Sequence, residues 1–366
     1  SYEGATNTLS FRIVNHTGHK LLSGFPEGRR MWVNVRFYGP EETLIAEINT
    51  YDEAASTMKG LPYAYSDPDG ILPAPALLNS TEIHDDALVY EMLPSSSLTA
   101  EDEDHTFHFV LADSRYKDNR IPPRGFRVGE AADRLVEPAW EGSLAPEYFT
   151  EQEYLGGYDR VEVNVPAIAV KAEIRLFYQT TSREYIEFLR DQIIGTASTL
   201  QGPGAAGDAP YIAQTDPFFT RLKAWGDAIW QLWRHNRSEP GAAPILMAEA
   251  TVEAESSIIV EKRTSPAGAV QLFEFTGAAP GLISDGQQIA ASGLWPGRYE
   301  ATELDTVGWQ LESILCNDDD SYGDLGASTA VFNVNEEESV TCVFTNMEAC
   351  GPLVLRNDVV SALASY

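Results

Sequence analysis

Residues 160–165 read Arg-Val-Glu-Val-Asn-Val, and the reading of this run decides the fold. Val161, Val163 and Val165 alternate with polar residues, so all three fall on one face of a strand. Strand-like runs recur at Leu9–Asn15, Met31–Tyr38, Thr106–Ala112 and Ala172–Tyr178. Between them lie long loops rich in Pro, Asp and Gly, such as Leu61–Pro75 and Asp118–Gly129. Residues 1–180 are therefore expected to form a β-sandwich with long loops.

The period then changes. Ser182–Ile194 carries Ser182 as an N-cap and apolar residues at Tyr185, Ile186, Leu189 and Ile193, which is helical spacing. A Gly/Ala/Pro linker, Gly195–Pro210, leads to a second helix over Asp216–Asn236. That helix has Asp at its N-cap, Pro in its first turn, and a packing stripe of Phe218, Leu222, Trp225, Ile229 and Leu232. Residues 181–250 are thus a helical cap and linker. Residues 251–347 hold seven short strands, near Ser257–Arg263, Val270–Thr276, Gln287–Ser292, Arg298–Glu303, Gln310–Leu315, Ser328–Val334 and Ser339–Thr345. Pro-Ala-Gly, Ser-Asp-Gly and Pro-Gly turns separate several of them, so a second, small β-sandwich is expected. Residues 348–366 form a C-terminal tail ending in VVSALASY.

The chain of 366 residues is 43% hydrophobic and 10% aromatic, which suits two or three globular domains. Its 55 acidic side chains against 25 basic ones leave a net charge of -30. That excess disfavours nucleic acid and anionic membrane surfaces as partners, because both need clustered cations. No apolar run reaches the roughly 18 residues of a membrane span. The chain starts Ser-Tyr-Glu-Gly, without an initiator Met or export signal, and is read as a processed part of a longer precursor.

The three cysteines, Cys316, Cys342 and Cys350, belong to no CxxC or CxxCH motif. Covalent c-type haem is therefore not attached on this chain, and a cysteine zinc site is disfavoured. An isolated pair in a small β module reads as a disulfide and an oxidising compartment. Cys350, the odd one, would pair between chains or upstream.

The run Asn317–Asp324 offers carboxylates to calcium, yet it lacks EF-hand spacing and a closing Glu, and equally suits a solvated turn. No Gly-x-Ser-x-Gly, HExxH, P-loop or GxGxxG is present, so no enzyme is read here. Asn-x-Ser/Thr triplets occur at Asn15, Asn79 and Asn236.

The stretches IIVEKRTSPAG, FEFTG, SDGQQI, GLWPGRYEATELDTVGW and ESVTCVFTN together resemble the prealbumin-like surface modules of bacterial stalk and adhesin proteins, of SpaA and Cna-B type. The resemblance covers residues 252–347 and implies a prealbumin-like β-sandwich. It also implies two covalent devices. A Cys316–Cys342 disulfide would close a loop of about 26 residues and contribute roughly 3 kcal/mol; the alternative is two buried thiols. Modules of this type often carry a Lys–Asn isopeptide bond assisted by a Glu, and the matching positions are Lys262, Asn346 and Glu303. The chemistry needs a desolvated, neutral lysine beside a protonated carboxyl. Lys262 sits between Glu261 and Arg263, however, a pattern equally suited to a solvated strand face.

Four other stretches, NHTGHKLLSGFPEGRRMW, DNRIPPRGF, YLGGYDRVEVNVP and IRLFYQTTSREYIEFLRD, resemble the haem-free C-terminal portion of large bacterial multihaem c-type cytochromes, over residues 8–250. In that family the β domain follows a run of CxxCH sites, which this chain lacks. The resemblance implies haem c on an upstream segment or a partner chain. It makes His19, and next His16, a candidate ligand to a neighbouring haem or to a metal. The alternative is that His19 hydrogen-bonds a backbone carbonyl and fixes the turns at Gly18 and Gly24. His105 and His108 fall on opposite faces of a strand, and His84 precedes Asp85 and Asp86, a weak metal cluster. Arg29, Arg30, Arg120 and Arg124 offer forks either for haem propionates or for the carboxylates that pin long loops.

The whole reads as a mainly β protein: a β-sandwich with a helical cap plus a second, small prealbumin-like sandwich. Its expected role is a non-catalytic, extracellular or cell-surface scaffold of a multihaem cytochrome, positioning or shielding an electron-transfer part. The alternative is a structural subunit of a surface filament or adhesin, with copies of itself as partners. A further option is a carbohydrate-binding surface module using exposed Trp and Tyr.

Overall fold

The computed structural model describes residues 2–3, 7–22, 27–61, 70–97, 105–108, 112–194 and 217–349. Strands hold 45% of the chain and helices 13%, so the class is mainly β, of sandwich type. The chain divides into two compact units, Ser10–Thr251 and Val252–Tyr366, the second of which also takes Ser1–Leu9.

In the first unit the central strand is Arg30–Tyr38, nearly continuously buried. It pairs antiparallel with Lys171–Gln179 on one side and with Leu44–Ile48 on the other. Val89–Tyr90 also joins it, and Glu82–Ile83 lies parallel at the edge, on Leu44–Ile48. Ile245–Glu253 extends the sheet beyond Lys171–Gln179. A smaller sheet runs Ser143–Leu144, Ala139–Trp140, Ser114–Asp118, Met92–Ser95. The alternating run 160–165 coincides with the strand Tyr158–Asn164, whose Val161 and Val163 are buried, with Val165 buried just beyond its end. Trp32, buried among Met58, Leu61 and Val89, stacks near Tyr51 and Phe177 and anchors the core.

A strand expected over Thr106–Ala112 is not formed by residues 106–108, which are irregular; 109–111 lie outside the described residues. Instead His105, Phe107 and His108 make ring contacts, with Tyr116, Tyr185 and Phe188. A short helix that the sequence reading missed, α1 (Glu151–Gly156), is opened by a capping box: Thr150 and Glu153 satisfy each other's backbone N–H groups.

Helix α2 spans Arg183–Ile194, and the Ser182 hydroxyl accepts from the Tyr185 N–H at 3.3 Å. It buries charge as well as apolar groups. Arg183 donates to the carbonyls of Ala55 and Pro73 and pairs with Glu187 at 2.9 Å. Helix α3 (Pro217–His235) packs on it, and of the expected stripe only Ile229, among the described side chains, lies against the buried cluster. Trp225 is 64% exposed and Leu232 turns outward with it. Trp230 and Trp233, stacked at 5.7 Å, are buried with Ile186 and Leu72. Residues 229–233 are apolar on two sides of the helix, and burying two indoles removes more apolar area from water than burying Trp225 and Leu232 would. The side chains of 218 and 222, the linker 195–210 and the tail 350–366 lie outside the described residues.

The second unit is a sandwich. One sheet runs Gln288–Leu294, Ser256–Ser265, Ser339–Glu348, Trp309–Cys316. The opposed sheet centres on Gly297–Glu303, flanked by Phe273–Gly277 and Thr329–Val334. Ile258, Val260, Phe273, Phe275, Phe332 and Phe344 fill the space between them. The sequence reading places residues 1–9 in the first domain; instead Tyr2–Glu3 pairs in parallel with Gly297–Arg298, on backbone that Phe273–Gly277 leaves open. Main-chain pairing of this kind carries no hydrophobic signature and so leaves no trace in the pattern.

Candidate cross-link site

The strand Ser256–Ser265 alternates buried and less buried positions, and Ile258, Val260, Lys262 and Thr264 share the inward face. Lys262 is therefore 0% exposed, and the solvated-strand alternative is corrected: its charged neighbours Glu261 and Arg263 point the other way. Ser339–Glu348 runs parallel to it in register, Lys262 beside Phe344 and Thr264 beside Asn346. An extended lysine leaning along its strand thus reaches the diagonal neighbour, Asn346, which is 2% exposed. Glu303 ends its strand in the opposed sheet and reaches across the core at 5% exposure.

Three polar side chains from three strands meet here. Lys262 Nζ donates to Asn346 Oδ1. It also donates to Glu303 Oε2 at 2.8 Å. Asn346 Nδ2 donates to Glu303 Oε1. The ammonium stands 4.2 Å over the ring of Phe273, and Phe275 and Phe344 pack edge to face beside it. Burial lowers the Lys262 pKa below the ordinary lysine value, against the opposing pull of Glu303. The site thus presents an amine biased toward its neutral form, an amide carbon within reach, and one carboxylate touching both nitrogens. The sequence reading missed Phe273, which roofs the amine; its place in FEFTG alternates with Phe275, the signal for an inward face.

Along the same strand, Cys342 lies directly opposite Cys316 and is joined to it, Cα to Cα 4.0 Å. The Ser339–Glu348 strand is thereby linked to one neighbour by a disulfide and touches the other through Lys262 and Asn346. Cys350 lies outside the described residues.

The remaining sequence-predicted residues sit in the first unit. His19 is exposed, in a loop held by Asn15, whose Nδ2 donates to the carbonyls of His19 (2.8 Å) and Ile121 (2.9 Å). His19 Nδ1 lies 3.0 Å from the Lys20 carbonyl. The Thr17 hydroxyl lies 3.2 Å from the same nitrogen. His16 is exposed beside it. Arg30 is buried: it donates to Gln179 and Thr57, and pairs with Glu184 at 3.2 Å. That geometry ties two strands to a helix and occupies the guanidinium with buried partners. Arg120 grips Asp118 with two donors, at 2.8 and 3.0 Å. Arg29 is half-buried and Arg124 exposed.

In the acidic run, Asn317 accepts from the Thr341 N–H, Asp318 from the Ser321 hydroxyl, and Asp324 from two backbone N–H groups. His84 Nε2 is 3.8 Å from Asp86. Among the described residues, no three His, Cys, Asp or Glu side chains converge as a metal site. No helix among them is long and apolar enough to cross a membrane.

No family model matches the chain, and no curated protein matches it. Solved structures give weak fold-level likenesses. A penta-haem cytochrome c552 from Thermochromatium tepidum aligns at TM-score 0.27 and 11% identity, over 67% of this chain and 35% of the cytochrome. An adhesin from Mobiluncus mulieris, containing intramolecular disulfide, isopeptide and ester cross-links, aligns at 0.25 and 8%, over 95% and 93%. The major pilin of Streptococcus pyogenes aligns at 0.20 and 10%, over 55% and 80%. The chain spans about a third of the cytochrome's length. Likenesses of this size establish no common fold.

Proposed function

We propose that the chain is a non-catalytic structural protein of the cell exterior, whose C-terminal sandwich locks itself with a Lys262–Asn346 isopeptide bond. The observation that carries this is the buried three-way contact of Lys262, Glu303 and Asn346 under Phe273. Glu303 takes a proton from the ammonium and leaves a neutral amine. Lys262 Nζ then attacks Asn346 Cγ. Glu303 hands its proton to the departing amide nitrogen and receives the one shed by the attacking amine, so an amide forms and one ammonia leaves. A charge pair this deep is costly to keep as such, which drives its conversion to a neutral amide. The Cys316–Cys342 bond favours the same oxidising, extracellular setting. Partners are then copies of the chain in a filament, or a neighbouring segment that it positions.

The test is mechanical as well as chemical. Denatured, reduced wild-type chain has a mass short by one ammonia. Stretched between handles flanking the second unit with the disulfide reduced, it does not release the 84 residues from Lys262 to Asn346, about 290 Å of contour. Release of that length, or a mass equal to the sum of the residues, overturns the proposal.

A second reading is favoured by His19, an exposed imidazole that would serve as an axial ligand to a haem held by another segment or chain, for which the chain would be the scaffold. Haem bound there would supply the redox chemistry; this chain would supply only the imidazole and its orientation. With His19→Ala, a low-spin bis-His spectrum of the assembled complex should be lost; an unchanged spectrum removes His19 as a ligand.

A further inference from the structure

The three Asn-x-Ser/Thr triplets share a motif but not a geometry. At Asn15 and at Asn79 the same turn forms. Asn15 Oδ1 accepts from the N–H of Thr17 at 2.8 Å and from its hydroxyl at 2.7 Å. Asn79 Oδ1 accepts from the N–H and the hydroxyl of Thr81 at the same two distances. The amide nitrogens then part company. Asn15 is buried, and its Nδ2 is spent on the carbonyls of His19 and Ile121. Asn79 is exposed, and its Nδ2 makes no hydrogen bond to any described residue. Asn236 is exposed but lacks the turn: its Nδ2 donates to the Leu232 carbonyl at 2.8 Å, closing the end of α3.

The surroundings of Asn79 add a reason for modification. Residues 76–81 run exposed along the surface into Glu82–Ile83, the short edge strand of the large sheet. Leu77 is 92% exposed, and Ile71, Leu78 and Ile83 are exposed as well. Apolar side chains beside an open sheet edge invite association with other chains unless something bulky and polar covers them.

We propose that Asn79 is the acceptor of an N-linked glycan, the only one of the three triplets whose amide is both presented and unspent among the described residues. The donor is a lipid-linked oligosaccharide pyrophosphate. A bond forms between Asn79 Nδ2 and the sugar C1. The bond from C1 to the pyrophosphate oxygen breaks, the lipid pyrophosphate leaves with the electron pair, and the amide proton passes to a base of the transferase. Thr81 supplies the hydroxyl residue that the Asn-x-Ser/Thr requirement demands two positions after the acceptor. The glycan covers Leu77 and the edge beside it. This site is independent of the Lys262 cross-link.

The test uses the folded, full chain, a lipid-linked oligosaccharide, and a single-subunit oligosaccharyltransferase that needs no acidic residue before the triplet, since Leu77 stands two positions ahead of Asn79. A short acceptor peptide in the same reaction reports that the enzyme works. The intact mass should rise by one oligosaccharide, mapped to Asn79. Asn79→Gln should abolish the addition. Thr81→Ala should reduce it to background with Asn79 still in place, and Asn236→Gln should leave it unchanged. A modified peptide with an unmodified chain, or sugar mapped to Asn15 or Asn236, overturns the proposal.

Discussion

Glu303→Gln keeps the shape of the side chain at the cross-link site but removes the group that moves the proton. The attacking amine and the departing amide nitrogen then have no carboxylate to pass the proton between them, the attack on Asn346 does not proceed, and the denatured variant should keep the ammonia that the wild type loses. The stability consequence follows from the loop closed. Lys262 and Asn346 stand 84 residues apart, and constraining a loop of that length removes unfolded-state entropy equivalent to about 4.5 kcal/mol. For a module of about 95 residues this corresponds to a melting temperature lower by roughly 20 °C. Glu303→Gln also leaves Lys262 buried without its counter-charge, a separate cost of about 3–5 kcal/mol. The double variant Lys262→Met, Glu303→Gln removes both charges together, so its shift isolates the loop contribution. Calorimetry and intact mass on the three proteins decide the matter. Ammonia loss that persists in Glu303→Gln would falsify the role of the carboxylate. A double variant that melts with the wild type would show that no covalent loop exists.

Four further outcomes are expected. Asp159 is buried against Tyr90, and desolvation raises its pKa from 3.8 to about 6. The folded state therefore holds a proton that the unfolded state gives up, so stability is lost as pH climbs through this window, by about 3 kcal/mol. Asp159→Asn should remove that part of the slope in urea melts between pH 4 and 7, though Glu187, raised to about 7 by burial, contributes in the same direction. Arg30→Ala strips Glu184 of its ion partner in the core and should cost about 3–5 kcal/mol; Arg120→Ala should cost less, because Asp118 keeps Lys20 at 2.8 Å. Thr150→Ala breaks the capping box of α1 and should lower the denaturant midpoint by about 1 kcal/mol equivalent. Cys316→Ala with Cys342→Ala opens the 26-residue loop and should cost roughly 3 kcal/mol in the second unit alone.

The sequence by itself determined the mainly β class, the two helices near their observed bounds, and most strands of the second unit, because side-chain alternation and helical spacing are local and survive in a single chain. It also singled out Lys262, Glu303 and Asn346 by resemblance, and the pairing of Cys316 with Cys342. What it left open was the environment. The alternation Ile258, Val260, Lys262 was legible, but the charges at Glu261 and Arg263 made either face plausible, and only packing placed the lysine inward. Glu303 comes from the opposed sheet, 41 residues along the chain, so its approach is a tertiary fact. The buried face of α3 was decided by which indoles could be covered, and the docking of Tyr2–Glu3 on Gly297–Arg298 by backbone hydrogen bonds that no side chain announces. The same holds at Asn15 and Asn79. One motif and one turn occur twice, and only the surrounding chain buries the first amide and presents the second, because burial depends on neighbours distant in sequence.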